Sequence, residues 1–307
     1  MSYSHILKYT GLLGSVQFLN ILISIVRNKA AAVLIGPVGM GLADLYFRAI
    51  ELLGNSTNFG LGFSAVRRLS PLCEQGNTRA LLLQARLIRT LIFWTAVLGA
   101  VVTLALSPAL SLWFFHDTAH ALSICALAPA VAFSTLTGGE VAILRGTSRL
   151  KAIATNSALI AGCTLAFALV IYSIWGIRGV IPVLLLTTLT TFLLHLRVTS
   201  KQFPYRIHPL RFRSLKAGKP LIQLGVAYIG AGILGSGTEM LIRAVVVNSD
   251  SGLYAAGLYA AGLTLTVSYA RMIFVAMDAD YFPRLSAAAQ DISHQNLTVN
   301  SQINVLS

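Results

Sequence analysis

Charged residues inside long apolar stretches are the part of this sequence that could do chemistry. In one such stretch Asp44, Arg48, Glu51, Asn55 and Asn58 follow one another at intervals of four and three residues. This spacing places all five on one face of a helix. An ionisable side chain at the centre of a bilayer costs about 2.5–3.5 kcal/mol, so the face must line protein or water. Two interpretations follow: an ion-pair network that holds helices together, or a polar cavity for a substrate.

A second apolar stretch repeats the pattern, because Glu239 and Arg243 lie four residues apart after a glycine-rich segment, 230–237. The candidate cavity cations of the whole chain are Arg27, Lys29, Arg48, Arg243 and Arg271, and the candidate ion-pairing or ion-coupling carboxylates are Asp44, Glu51, Glu140 and Glu239. Cations outnumber carboxylates in this set. An excess of positive charge between low-dielectric walls favours an anionic substrate.

Other placements of these residues remain open at this stage. Arg27 and Lys29 could reach the membrane surface with their long side chains instead of facing a cavity. Glu140 stands alone near the end of its apolar stretch, where either a structural partner such as Arg145 or a role in ion coupling would explain it.

The composition defines the class of protein that carries these residues. Of 307 residues 56% are apolar and 11% are charged, and the mean hydropathy is +0.75. A soluble surface needs more polar side chains than this, which excludes a soluble globular domain and a disordered chain. Three scattered cysteines exclude a disulfide scaffold. The sequence therefore predicts an all-α, polytopic membrane protein.

Eight apolar runs are long enough to cross a bilayer, which takes about 20 residues. They cover 6–34, 41–66, 91–115, 119–144, 153–175, 179–196, 221–247 and 253–277. We expect a six-helix lobe over 1–200, a basic linker over 201–220, and a partial second lobe of two helices and a tail over 221–307.

Most basic residues fall at the N-terminus and in the segments after the second, fourth, sixth and eighth runs. Cytoplasmic segments of inner-membrane proteins are enriched in Lys and Arg, so we expect a cytoplasmic N-terminus. The net charge of +13 is thus explained by membrane topology, and no nucleic-acid partner is expected.

Signatures of enzymes and of bound cofactors are missing from the sequence. His116 and His120 have the spacing of metal ligands, but they lie in a turn between two apolar runs, where interfacial polarity explains them. We expect a protein that is not an enzyme and holds no metal or cofactor.

Several motifs resemble those of bacterial O-antigen and polysaccharide flippases, which belong to the multidrug/oligosaccharidyl-lipid/polysaccharide (MOP) superfamily. They are Val26-Arg27-Asn28-Lys29, Gly36-Pro37-Val38-Gly39-Met40-Gly41, Gly60-Leu61-Gly62-Phe63-Ser64 and Asp280-Tyr281-Phe282-Pro283-Arg284-Leu285-Ser286. The resemblance implies two pseudo-equivalent six-helix lobes around a cationic cavity, and Arg27 and Lys29 match the basic pair of the family's first helix. It implies a polyprenyl-pyrophosphate-linked oligosaccharide as substrate, moved across the inner membrane by alternating access.

The resemblance also implies partners, namely the lipid-linked substrate, the bilayer and polysaccharide polymerase or assembly proteins. Family members have about a dozen helices and this chain has eight apolar runs, so we expect a C-terminally truncated transporter. Alone, it should be poorly stable, unable to transport, or dependent on a second polypeptide that supplies the missing helices. Two alternatives stay open: a multidrug or small-molecule exporter of the same superfamily, and a truncated remnant without transport activity.

Overall fold

The computed structural model describes residues 3–115, 118–205, 212–249 and 252–268, and these form helices and turns without a strand. The helices are α1 (Tyr3–Leu34), α2 (Gly36–Thr57), α3 (Leu61–Glu74), α4 (Thr78–Phe115), α5 (Ala121–Ala126), α6 (Ala128–Gly146), α7 (Leu150–Trp175), α8 (Val180–Ser200), α9 (Phe212–Val247) and α10 (Gly252–Leu263). A short 3₁₀ turn precedes α8, and a π-helical turn follows α10. The all-α prediction is confirmed.

Four stretches of the described residues are long and apolar enough to cross a membrane. They are Ser15–Leu34, Thr78–Phe115, Ala121–Gly146 and Lys151–Ser200, of which the last contains both α7 and α8. Helix α2 is not among them, because every 18-residue window of it holds Asp44, Arg48 and Glu51. The chain is therefore a polytopic membrane protein with one unusually charged helix at its centre.

Two predicted spans are divided in the structure. The run 41–66 breaks after α2, where Phe59 (φ 49°) and Gly60 (φ 60°) adopt the left-handed backbone conformation that only glycine tolerates readily. The run 119–144 breaks at Leu127, just before a proline in the first turn of α6. Ala121–Gly146 is still one stretch that is long and apolar enough to cross a membrane, but apolar composition reports neither turn.

Two other helices begin earlier than predicted. Helix α4 starts at Thr78, so that Arg86 and Arg89 belong to a helix instead of a loop. Helix α9 starts at Phe212, within the segment predicted as a linker. The division into two lobes stays a prediction.

Helix α2 lies at the centre of the bundle and buries two faces. Tyr46, Ile50 and Leu53 pack into one apolar cluster with α5, α6, α7 and α8. Leu45 and Ala49 pack into another with α4, α9 and α10. The polar residues of α2 thus occupy a helix whose two flanks are fixed by apolar packing on different neighbours.

The contact between α2 and α10 depends on glycine. A Cβ atom on Gly41 would collide with the backbone of α10, where it would come within 2.8 Å of the Gly257 nitrogen, and a Cβ atom on Gly257 would collide with the backbone of Pro37. Small residues allow this close helix approach in membrane proteins. Larger side chains at either position would push α10 away from α2.

The order of the helices and the contacts between them define two ends of the bundle. At the α1–α2 end, α1 ends, α2 begins, α9 ends and α10 begins. At the α8–α9 end, α8 ends, α9 begins, and α3 and the start of α4 pack together with Phe203 and Leu221. From the distribution of basic residues we expect the α8–α9 end to lie in the cytoplasm.

Candidate functional site

The charged face of α2 meets α9, and Arg48 is the centre of the contact. Its Nη1 atom lies 2.9 Å from Oε2 of Glu51 on the same helix and 2.7 Å from Oε2 of Glu239 on α9. Its Nε atom lies 3.6 Å from Oδ1 of Asp44. One guanidinium is therefore shared by three carboxylates from two helices.

Arg243 completes this α2–α9 network from the other helix. Its Nε donates to Oδ2 of Asp44, and its Nη1 donates to the backbone oxygen of Glu239 at 2.9 Å and lies 3.5 Å from that residue's Oε2. The guanidinium also stacks over the ring of Tyr259 on α10, 5.8 Å from its centroid. The sequence placed Asp44, Arg48 and Glu51 together on one helix and Glu239 with Arg243 on another, and the structure brings the two groups into contact.

The network is open to solvent-accessible space on one side. The side chain of Arg243 is 3% accessible, but that of Arg48 is 28%, that of Glu51 is 41% and that of Glu239 is 51% accessible. One turn along α2, the amide of Asn55 donates to the Ser236 hydroxyl of α9 at 3.1 Å. Part of the polar face of α2 therefore packs against α9.

Within the α2–α9 network carboxylates outnumber guanidiniums, because Asp44, Glu51 and Glu239 face Arg48 and Arg243. The excess of cations expected from the sequence is therefore not found at this place. Both arginines already have anionic partners in the protein. A binding site for a substrate anion would have to use other cations.

Arg27 and Lys29 differ from those arginines. The Nε and Nη2 atoms of Arg27 donate to Oδ1 of Asn28 at 3.4 and 3.2 Å. Lys29 is exposed. Within the described part of the chain, neither residue forms an ion pair with a carboxylate. This pair of cations is therefore free of competing anions there.

Glu140 belongs to a second ionic cluster, near the α8–α9 end. Its two carboxylate oxygens accept from Nε and Nη2 of Arg89, each at 2.7 Å, in a two-pronged ion pair. Nη2 also donates to the Thr199 hydroxyl at 2.9 Å, and that hydroxyl donates to Glu140. Both charged side chains are almost fully buried. The suggested structural partner Arg145 is exposed, and Arg89 takes its place.

The buried cluster continues into the segment after α8. Nη1 of Arg89 donates to the backbone oxygen of Phe203 at 2.6 Å, and the guanidinium lies 5.1 Å from the ring centroid of Tyr205. Burial raises the pKa of the Tyr205 phenol, as does the nearby charge of Glu140, while Arg89 opposes the shift. The phenol therefore stays neutral, and the buried arginine donates to Glu140, Thr199 and the backbone of Phe203.

The sequence interpretation missed Arg89 because α4 was expected to begin later. One signal was available: Ala85, Ile88 and Ile92 recur at helical spacing around it, so that a helix from Thr78 carries Arg89 on its buried side. The isolated carboxylate of Glu140 then required a cation from another helix.

Some predicted site residues fall elsewhere. Arg271 lies outside the described residues, as does His116, so that neither the fifth candidate cation nor the histidine pair can be placed. In the described ranges no group of three His, Cys, Asp or Glu side chains could hold a metal ion.

Comparisons with known proteins bear on the fold. No protein-family model and no curated protein sequence matches the chain. Among solved structures, the chain is similar to an inward-facing conformation of a multidrug resistance MATE family transporter of the MOP superfamily. The TM-score is 0.53 at 16% sequence identity, over 95% of this chain and 66% of that transporter.

This likeness identifies the class of fold. The helices of the chain are arranged as in a MATE-type membrane transporter, which belongs to the superfamily named by the sequence resemblance. The chain spans 66% of that transporter's length.

Proposed function

We propose that the chain is a membrane transporter that translocates a polyprenyl-pyrophosphate-linked oligosaccharide across the bacterial inner membrane by alternating access. A MOP-type fold and apolar spans support a transporter. The observation that carries the choice of substrate is the pair Arg27 and Lys29, which has no carboxylate partner among the described residues.

The charge of this pair suits a pyrophosphate. A pyrophosphate diester carries two negative charges, and a guanidinium and an ammonium group can each donate charge-assisted hydrogen bonds to it. The planar guanidinium of Arg27 can donate two parallel hydrogen bonds to a phosphate, and Asn28 orients it through its side-chain oxygen. Lys29 adds a mobile point charge.

The other predicted cations take different roles in this proposal. Arg48 and Arg243 act within the α2–α9 network and contact the substrate only when that network rearranges, and Arg271 remains a candidate cavity cation. The N-terminus is cytoplasmic, and polymerase or assembly proteins would receive the translocated oligosaccharide.

Complementation of a flippase-deficient strain tests the proposal. We expect Arg27→Gln with Lys29→Gln to abolish surface polysaccharide, while Arg27→Lys retains part of the activity. The matched control is Arg178→Gln, because Arg178 is an exposed cation in the turn between α7 and α8. Immunoblots of membranes confirm equal amounts of inserted protein. Full complementation by the double variant would contradict the proposed role of the pair.

A second candidate function is export of an organic cation, and a specific observation favours it. Glu51 and Glu239 are the most accessible members of a network in which carboxylates outnumber guanidiniums. Carboxylates attract cationic substrates. If the chain raises resistance to lipophilic cationic dyes and Glu51→Gln with Glu239→Gln removes that resistance, the exporter function replaces the flippase function.

A further inference from the structure

Besides the apolar cluster that they form with Leu45, Ala49 and Phe114, helices α9 and α10 meet the rest of the bundle through two kinds of contact. The first is close approach of small residues, at Gly41 and Gly257 and again where the backbones of Gly60 and Gly225 touch. Such surfaces have few interdigitating side chains, so that helices can shift along them. The second kind is the charged α2–α9 network.

The network contains the ion pairs that connect α9 with earlier helices among the described residues. Of the ion pairs among described residues, those that cross from α9 to an earlier helix are Arg48 with Glu239 and Arg243 with Asp44. Separation of the two helices would have to break both pairs.

The pairs within each helix make this separation feasible. If α9 moved away, Arg48 would keep Asp44 and Glu51 on α2, which lie four residues before it and three residues after it. Arg243 would keep Glu239, four residues before it on α9. Neither guanidinium would be left without a carboxylate, which avoids the large cost of an unpaired charge in a membrane.

We propose that the α2–α9 network is a releasable latch, which holds the half of α9 nearest the α1–α2 end against α2 and opens when α9 and α10 move away. This inference rests on the proposed transporter function, because alternating access requires such a movement. The partly accessible carboxylates of Glu51 and Glu239 let water replace the broken contacts as the latch opens.

The latch lies near the α1–α2 end of the bundle, which is the end that it would close. Arg243 lies one helical turn from the end of α9, or about 6 Å at 1.5 Å per residue. A closed latch there seals the α1–α2 end, as an inward-facing transporter requires when that end is extracytoplasmic. The solved structure to which the chain is similar is inward-facing.

Distances between spin labels test the latch without a substrate. The full chain is studied in lipid nanodiscs, with Cys73, Cys125 and Cys163 replaced by serine. Spin labels are attached to cysteines introduced at two exposed positions, Val38 in α2 and Asn248 just after α9. Double electron–electron resonance then gives the distribution of distances between the two labels. We expect Arg48→Gln with Glu239→Gln to raise the ratio of long to short distances roughly three- to tenfold.

Two further variants complete the design. Glu239→Gln alone removes one cross-helix pair at a half-exposed position that does not endanger folding, and it should produce a smaller shift in the same direction. Arg178→Gln is the control and should leave the distribution unchanged. An unchanged distribution in the double variant and in Glu239→Gln would overturn the latch.

The two proposals fail separately. If the distances shift but the unmodified chain complements no flippase-deficient strain, the latch stands and the substrate assignment fails. If the chain complements the strain but the distances do not respond, the flippase function stands and the latch is wrong.

Discussion

The two ionic clusters of this protein differ in how completely each charge depends on one partner. Arg89 and Glu140 are buried, two-pronged and bridged by Thr199, and no second carboxylate faces the arginine among the described residues. Arg48 has carboxylates on its own helix as well as Glu239 across the interface, and these side chains are partly accessible. The first cluster can exist in one arrangement and the second in two.

This difference separates a fixed part of the molecule from a movable part. The buried cluster joins α4, α6 and α8 with the segment that follows α8, so these elements should move as one body. The α2–α9 network joins that body to α9 and α10 through bonds that have alternatives. Charge inside a membrane protein can therefore fix a structure or permit a rearrangement, and the number of available partners decides which.

Breaking the buried cluster should have the largest effect on stability. Glu140→Ala leaves the Arg89 guanidinium buried without a carboxylate, which typically costs about 3–5 kcal/mol. The free energy of unfolding in mixed detergent micelles measures the loss. Arg89→Met with Glu140→Leu removes both charges and should cost less than Glu140→Ala alone. Equal losses would show that the charge is not buried as described.

The hydroxyl of Thr199 should have an intermediate effect. Thr199→Val removes a group that accepts from Arg89 and donates to Glu140, and it leaves buried polar atoms unsatisfied, at about 1–3 kcal/mol. The control is Thr155→Val, because the hydroxyl of Thr155 is exposed on α7 and bonds only its own helix among the described contacts. The same unfolding measurement should show almost no change for the control.

Removing one charge of the α2–α9 network should change stability least. Glu239→Gln leaves Arg48 with Asp44 and Glu51, and the side chain is half exposed, so that at most about 1 kcal/mol is lost. A loss as large as that of Glu140→Ala would show that the two clusters are alike. The comparison would then fail.

Salt should distinguish the clusters as well. Ions screen accessible charges far more than buried ones, since the Debye length falls to about 3 Å at 1 M salt. The effect of Glu239→Gln on unfolding should shrink in high salt, while that of Glu140→Ala should persist. Parallel unfolding series at low and high sodium chloride provide the measurement.

Much of this organisation could be predicted from the sequence, because it follows from local spacing. Intervals of three and four residues placed Asp44, Arg48 and Glu51 on one face, and the same rule paired Glu239 with Arg243. What local spacing cannot give is the partner across an interface. The contact of Arg48 with Glu239 joins residues far apart in the chain, and nothing in either segment specifies the other.

The misplaced elements have a physical reason of the same kind. Apolar composition marks where a chain can cross a membrane, but the turn at Phe59 and Gly60 interrupts an apolar run without changing its composition. Helix α4 begins at Thr78 because its first turns pack against α3 and α6, although they are too polar to resemble a span. Tertiary contacts therefore set both boundaries.

A cross-linking measurement in proteoliposomes tests most directly whether α9 moves against a fixed body during transport. Cysteines at Asn55 and Ser236, whose side chains are in contact, are joined by a short reducible cross-linker in a chain without its natural cysteines. The control joins Ser107→Cys on α4 to Cys125 on α5, which is retained for this variant alone, because the two side chains lie 2.9 Å apart and neither belongs to α9 or α10. We predict that the α2–α9 cross-link stops translocation of a lipid-linked oligosaccharide until it is reduced, while the control cross-link does not. Translocation at the uncross-linked rate through a fully cross-linked α2–α9 pair would contradict the account.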